Sequence, residues 1–143
     1  MAVILQNPRI KLLWDESYAL AASDDYSNDG GMACAFKSSV SSGEATVTRP
    51  TAGGRIAGIV KNNNAKYASD GTGVRAQVCK LGMCAGRALG AINAGAELMV
   101  GDTYGRLTTA SGSGSYVVAI AREAALEADD MIAIEVVSQY PHA

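Results

Sequence analysis

From residue 44 onward, short apolar runs alternate along the chain with clusters of turn-forming residues. In residues 74–79, valine and alanine occupy every second position, and arginine, glutamine and cysteine occupy the positions between them. A period of two places one apolar face on a half-buried strand, whereas a helix would scatter the same residues around its axis. The pattern predicts strands at residues 44–49, 56–60, 66–68, 74–81, 98–100, 106–110, 116–121 and 131–137.

Two connections have the composition of β-hairpin turns. Residues 69–73 read Ser-Asp-Gly-Thr-Gly, and residues 101–105 read Gly-Asp-Thr-Tyr-Gly. Glycine and aspartate suit the backbone angles that tight turns require. Strands at intervals of about ten residues, joined by turns of this kind, predict an all-β fold, either a small β-barrel or a β-sandwich.

Two segments favour a helical turn over a strand. Residues 122–130 include Glu-Ala-Ala-Leu-Glu-Ala, all of them good helix formers. Residues 87–92 could form a second short turn. We therefore expect one or two short helical turns within the β domain.

Residues 1–43 are predicted to form an extended N-terminal arm with polar loops, ahead of a β domain at residues 44–143. Pro8 prevents one continuous helix through the two short apolar clusters on either side of it, the second of which ends at Trp14. Such a segment packs poorly on itself, so we expect it to become ordered against another molecule. The alternative is a pair of ordinary loops around a short strand at residues 32–36.

Composition and charge narrow the functional class. The chain has 143 residues, of which 48% are hydrophobic, enough for a buried core without disulfides or a structural metal. Twelve basic and fourteen acidic residues give a net charge of −2 with no basic block, which argues against nucleic-acid binding. The sequence predicts neither a membrane-spanning helix nor a signal peptide, so we expect synthesis in the cytoplasm.

Few residues have the pattern that catalysis or metal binding requires. His142 is the only histidine and is next to last in the chain, where a catalytic base is seldom held rigidly. Cys34, Cys79 and Cys84 have no CxxC spacing, and we interpret them as small buried hydrophobic residues. Residues 71–76 fit the GxGxxA dinucleotide pattern, but a hairpin turn explains them better. The sequence therefore predicts a protein that is not an enzyme and binds no cofactor and no metal.

The C-terminal two thirds of the chain resembles the capsid decoration, or head cement, proteins of tailed bacteriophages. The resemblance covers about residues 55 to 138 and implies a small β domain, commonly a homotrimer. It also implies a location on the outer capsid surface of the virion, at junctions between copies of the major capsid protein, with no membrane or nucleic-acid partner. Five segments carry it: residues 74–82, Ala-Ile-Asn-Ala-Gly-Ala-Glu-Leu at 91–98, Gly-Arg-Leu at 105–107, residues 116–120 and the alanine-rich acidic stretch at 124–132.

The arm is the candidate capsid contact, because an extended segment can add a strand or an apolar anchor to a neighbour. Two alternatives stay open. One is another oligomeric β module, such as a tail or fibre component or a carbohydrate-binding protein; the other is a small enzyme that binds a nucleotide at residues 71–73. The capsid-contact residues on the first hypothesis are Pro8, Arg9, Ile10, Leu12, Leu13 and Trp14.

Overall fold

The computed structural model describes residues 14–20, 25–26, 30–37, 45–61, 65–66 and 75–143, and all of its regular elements are strands. This confirms the predicted all-β class. Nine strands form one curled, half-barrel sheet in the order β1-β4-β3-β5-β7-β11-β10-β8-β9, and β2 pairs with β6. The strands are β1 Trp14–Leu20, β2 Asp25–Tyr26, β3 Ala33–Phe36, β4 Thr46–Thr48, β5 Gly58–Val60, β6 Ala65–Lys66, β7 Ala76–Arg87, β8 Glu97–Val100, β9 Leu107–Thr109, β10 Tyr116–Ala121 and β11 Met131–Pro141.

Strand β7 is shared by both halves of the sheet. In its first half, Cys79 lies opposite Asp15 of β1 on one side and Ile59 of β5 on the other. In its second half, from Gly82 onward, β7 pairs antiparallel with β11. The pairing of β1 with β7 closes β1, β4, β3, β5 and β7 into a ring, in which only β1 and β4 run parallel.

Two hydrophobic cores lie on opposite sides of the central strands. Ile59 and Val60 are neighbours on β5, yet Ile59 faces one core and Val60 the other, and Cys79 and Val78 divide in the same way on β7. Strands buried on both faces are built from apolar residues at consecutive positions. The first core contains Tyr18, Met32, Cys34, Val47, Ala57, Val60, Ala76 and Val78; the second includes Ile59, Cys79, Leu98, Leu107, Val118, Ile132, Ile134 and Val136.

The hairpin predicted around residues 101–105 is confirmed. Leu98 lies opposite Thr109 and Val100 opposite Leu107, and the amide of Gly101 donates to the carbonyl of Arg106. The turn of the other predicted hairpin, at residues 69–73, lies outside the described residues. The short strand before it, β6, pairs with β2.

The helical turn predicted at residues 122–130 is wrong. Ala125 instead forms an antiparallel bridge with Ile92, in which each amide donates to the other's carbonyl at 2.9 and 3.0 Å. The carboxylate of Asp130 accepts the amides of Leu126 and Glu127. Because these amides already have partners outside any helical ladder, the local helix propensity is overridden.

The second helical turn, predicted at residues 87–92, is wrong for the same reason. The amide of Ala88 donates to the carbonyl of Asp130 at 2.9 Å, and that of Leu89 donates to the carbonyl of Leu107 at 2.8 Å. These long-range bonds attach the segment to β9 and to the start of β11. None of the described residues forms a helix long and apolar enough to cross a membrane.

Candidate functional site

Of the predicted capsid-contact residues, Trp14 alone lies in the described part of the chain. Trp14 is the first residue of β1, and its backbone lies opposite Leu81 of β7. The arm therefore enters the fold beside the middle of the shared strand, and its role in capsid binding stays a prediction. The other predicted contact residues lie outside the described residues: Pro8, Arg9, Ile10, Leu12 and Leu13.

An exposed apolar surface lies on β7 and β11, on the side away from the second core. Met83 is 47% exposed and Met131 is 46% exposed, although neighbouring strand residues such as Ile132 and Ile134 are buried. Two methionines this exposed on a regular sheet are a candidate contact surface, because thioether side chains adapt to irregular partners. We call this surface the outer face and define it by Met83, Ala85, Met131 and Ala133, with Ala85 opposite Ala133 in the register.

Charged residues border the outer face and are already paired. Met83 lies opposite Glu135 of β11, and Glu135 lies opposite Ile120 of β10. The Arg122 guanidinium forms an ion pair with the Glu135 carboxylate. Because these two charges are already paired, a partner that covers them removes less water from each charge. The border of the outer face is therefore compatible with a covered interface.

A further exposed apolar side chain lies on the connection between β10 and β11. Leu126 is 85% exposed. The bridge between Ala125 and Ile92 and the hydrogen bonds to Asp130 hold the backbone on either side of it. Leu126 therefore has a defined position outside the outer face. A substitution at Leu126 can serve as a control for substitutions within the outer face.

Cations cover several aromatic rings of the surface. The Arg49 guanidinium lies 5.7 Å from the centroid of Tyr104, and that of Arg55 lies 4.7 Å from the centroid of Tyr116. Such contacts are favourable cation–π pairs within the protein.

Tyr18 and Phe36 form the one aromatic pair within the described residues. Their rings meet edge to face at 5.2 Å between centroids. Lys80 lies over both rings, at 5.4 and 5.3 Å, and its ammonium donates to the Tyr18 hydroxyl at 2.8 Å. The cluster stabilises the first half of the sheet at the edge of the first core.

The turn between β8 and β9 is organised by Asp102. One of its carboxylate oxygens accepts the amides of Tyr104, Gly105 and Arg106, and the other accepts the Arg106 guanidinium at 2.8 Å. Partial burial alone would raise the pKa of Asp102, but the hydrogen bonds and the charge of Arg106 outweigh it and lower the pKa. Arg106 also contacts Asp129, which joins this turn to the one before β11.

The three cysteines differ in their surroundings. Cys34 and Cys79 are buried as predicted, whereas Cys84 is only half-buried. Burial in the first core raises the pKa of Cys34 to about 12. The interaction between the two side chains lowers the pKa of Cys79 and raises that of Cys84. Cys84 also lines a small open groove of about 160 Å³, beside Lys61 and Met131.

His142 lies beside Ser115, but the two do not form a nucleophile and base. The backbone amide of His142 donates to the carbonyl of Ser115, and the Ser115 hydroxyl donates to the carbonyls of Ser111 and Gly112. Within the described residues, there is no cluster of three or more potential metal ligands.

The sequence reasoning missed the outer face. The sequence contains a pattern that could have indicated this surface. Met83 and Met131 occupy strand positions that alternate with those of core residues. Methionine is common in cores, however, so the sequence alone does not separate an exposed methionine from a buried one.

The fold belongs to the class of small all-β modules built on one curled sheet. No protein-family model and no curated protein matches the chain. Among solved structures, the N base of the head fiber gp8.5 of bacteriophage phi29 is similar, with a TM-score of 0.60 and 14% sequence identity. The alignment covers 91% of this chain and 99% of that chain. The two proteins therefore share a fold over nearly their whole lengths.

Proposed function

We propose that this protein is a non-enzymatic structural component of a tailed-phage virion, which binds the outer surface of the head and stabilises it. The observation that carries the proposal is the fold shared with a protein of a phage head, aligned over 91% of this chain. The segments that resemble the capsid decoration proteins point to the same place independently of the structure. The partners on this proposal are the major capsid protein and further copies of this chain, as a homotrimer.

The outer face and the N-terminal arm are the two proposed capsid contacts. Burial of exposed methionine and alanine side chains would contribute roughly 25 cal/mol per Å² before the cost of ordering, without any catalytic group. Met83 and Met131 supply the apolar centre, and the paired charges at Glu135 form the rim. This is the usual arrangement of a protein interface.

The first experiment is a binding assay with capsids that lack this protein. Purified protein and capsids are co-sedimented over a range of protein concentrations, and the mass of the free protein is measured by light scattering. Saturable binding in multiples of three per capsomer junction, with heads that resist heating better, is the expected result. A monodisperse protein that stays in the supernatant at all concentrations would contradict the proposal.

Three point variants and one deletion locate the contact. Met83→Glu and Met131→Glu place a charge in the outer face and are expected to weaken capsid binding by about tenfold or more. Leu126→Glu is the matched control, since it adds the same charge at a more exposed position outside the outer face. Deletion of residues 2–13 removes the arm but keeps β1. If both methionine variants bind like the control, the outer face is not the contact.

A second candidate function is the base of a head fibre. It is favoured by the structural neighbour, which is itself the N base of a head fiber. A base must hold a further fibre segment as well as the head. A stable complex between this protein and a fibre-forming virion protein, formed without capsids, would favour this candidate over a decoration protein.

A further inference from the structure

Strand β7 has β1 on one side, and β5 followed by β11 on the other. The Gln77 carbonyl accepts the amide of the residue after β5, so Cys79, at the next position of the same parity, also points its backbone groups to β5. The Ala88 amide donates to the carbonyl of the residue before β11, so Gly86 points its backbone groups to β11. Cys79 faces the second core, and a β-carbon on Gly86 would meet the Ile134 side chain of the same core. In a strand of L-residues, side chains on one face have their backbone groups on one side, so β5 and β11 share a side of β7.

The other side of β7 has an open edge at Met83 and Ala85. By the same alternation, the backbone groups of Met83, Ala85 and Arg87 point to the side on which β1 lies. The Arg87 amide donates to the Gly31 carbonyl at 3.0 Å, whereas none of the described residues forms a backbone hydrogen bond with Met83 or Ala85 on this side. The groove described above adjoins the edge, since Gly31, Ala85 and Met131 line it. Unpaired backbone groups of this kind are a template for a further strand.

Trp14 brings the chain to one end of this edge. It lies opposite Leu81, and β1 runs antiparallel to β7. An extension of β1 toward the N-terminus therefore runs past Met83 and Ala85. Because Trp14 already holds the chain beside the edge, the preceding residues of the same molecule have a high effective concentration there.

We propose that residues 9–13 lengthen β1 and pair with the open edge of β7. The register of β1 places Leu12 opposite Met83. Two residues further toward the N-terminus, Ile10 lies opposite Ala85. Because Met83 and Ala85 point their backbone groups to this side, each of these pairs exchanges two backbone hydrogen bonds.

Pro8 ends the added strand. The same register places Pro8 opposite Arg87, whose amide already has the Gly31 carbonyl as its partner. Proline has no N–H, so it cannot donate to the Arg87 carbonyl either. The open edge and the segment that fits it therefore have the same length.

The added strand enlarges the outer face. Directly opposite residues of an antiparallel pair lie on the same face, so Ile10 and Leu12 join Met83 and Ala85. The arm and the outer face then form one continuous apolar surface. The pairing itself does not depend on the proposed virion role.

Amide exchange, resolved by NMR, tests the pairing in the full chain. The amides of Met83 and Ala85 should exchange about tenfold or more slowly in the full chain than in a variant that lacks residues 2–13. The Arg87 amide is the internal control and should exchange equally in both proteins, because its partner is Gly31. Equal rates for Met83 and Ala85 in the two proteins would overturn the proposal.

A cross-link distinguishes the arm of the same molecule from that of a second copy. The register places Lys11 opposite Cys84 on one face. Under mild oxidation, Lys11→Cys should therefore form a disulfide with Cys84 within the monomer, found as tryptic peptides 10–37 and 81–87 joined to each other. A disulfide-linked dimer would mean that the edge takes the arm of a second copy, which contradicts pairing within one molecule.

Two proteins control the cross-link. Leu12→Cys places its thiol on the opposite face and should form no disulfide with Cys84. The unmodified protein should form none either, which excludes Cys34 as the source, since Cys34 lies in peptide 10–37. Equal cross-linking from positions 11 and 12 would overturn the proposed register.

Discussion

At the scale of single residues, Gly105 shows how closely two backbones approach. A β-carbon at this position would lie 2.2 Å from the carbonyl oxygen of Ala33, and the φ of Gly105 is +98°. The amide of Ala33 donates to the carbonyl of Gly105 at 2.8 Å. The turn after β8 is therefore fastened directly to β3, and no side chain fits between them.

Gly105→Ala is expected to lower the free energy of unfolding by more than about 3 kcal/mol, because it adds a backbone clash to the strain of a positive φ. The matched control is Gly112→Ala, whose φ is also positive at +78° but whose β-carbon would meet nothing within 4 Å. It should cost only about 1 kcal/mol, the conformational strain alone. Urea unfolding measures both, and equal losses would show that the contact with Ala33 is unimportant.

Asp102 makes the free energy of unfolding depend on pH in the acidic range. Its pKa is lowered in the folded protein, so its contribution is fully present above the unfolded-state pKa and is lost as the pH falls through the folded-state pKa. Asp102→Asn should lower the free energy of unfolding at pH 7 by about 2 kcal/mol, since the charge-assisted bonds to Arg106 weaken.

Urea unfolding at pH 7 and at pH 3 tests the acid dependence. The difference between the unmodified protein and the Asn variant should shrink at the lower pH, because there the Asp102 carboxylate of the unfolded state binds a proton before that of the folded state, which favours unfolding of the unmodified protein. A difference that stays constant between the two pH values would mean that the charge of Asp102 does not stabilise the turn.

At the scale of elements, one side chain fastens the end of β11 to the segment before β5. The Gln139 amide accepts the backbone N–H of Ile56 and donates to its carbonyl, both at 2.8 Å. A side-chain amide thus takes the place of a neighbouring strand. Gly53, in the same segment, donates to the carbonyl of Val100 in β8 and accepts from the amide of Tyr116 in β10.

Gln139→Ala should lower the free energy of unfolding by about 1 kcal/mol, the net value of the lost hydrogen bonds at a site that water can reach. Hydrogen exchange at the Ile56 amide should accelerate as well. Ser138→Ala, at the adjacent exposed position, is the control and should change neither quantity. Unchanged exchange at Ile56 in the Gln139 variant would contradict this role.

Local patterning was enough to predict the strands from residue 44 onward, but it predicted neither β1 and β2 nor the partners of any strand. The alternation at residues 74–79 and the turn at 101–105 identified β7 and the β8–β9 hairpin, since both signals are contained in neighbouring residues. The extension of β7 to Arg87 and the double-sided burial of β5 depend on distant strands. The helix predictions were wrong for the same reason. Backbone hydrogen bonds from Ala125 and Ala88 to distant residues determined the structure there.

The candidate site was harder to predict than the fold. The sequence suggested an arm because Pro8 and the polar loops break regular structure, and most of that arm lies outside the described residues. The outer face depends on which side of β7 and β11 the second core covers. That choice follows from the packing of the whole sheet, not from the residues at Met83 or Met131 themselves.

At the scale of the whole molecule, the shared strand couples the two cores. β7 contributes Val78 to the first core and Cys79 to the second, so neither core can open without disturbing the strand. We therefore expect both halves to unfold together.

Val78→Ala tests this coupling. It should lower the free energy of unfolding by about 2 kcal/mol through the lost packing. Hydrogen exchange followed by mass spectrometry should show the same loss of protection in β4, which borders the first core, and in β10, which borders the second. Loss of protection confined to β4 would mean that the halves open independently.

The connection between β9 and β10 has a consequence for engineering. Ser115 closes this loop with its hydroxyl, while Gly112 and Gly114 face open space at the tip. Foreign residues inserted after Gly112 would leave every strand pairing in place, as exposed loop tips usually allow. If the protein coats a virion in many copies, this loop is where an antigen or an affinity tag could be displayed at high density.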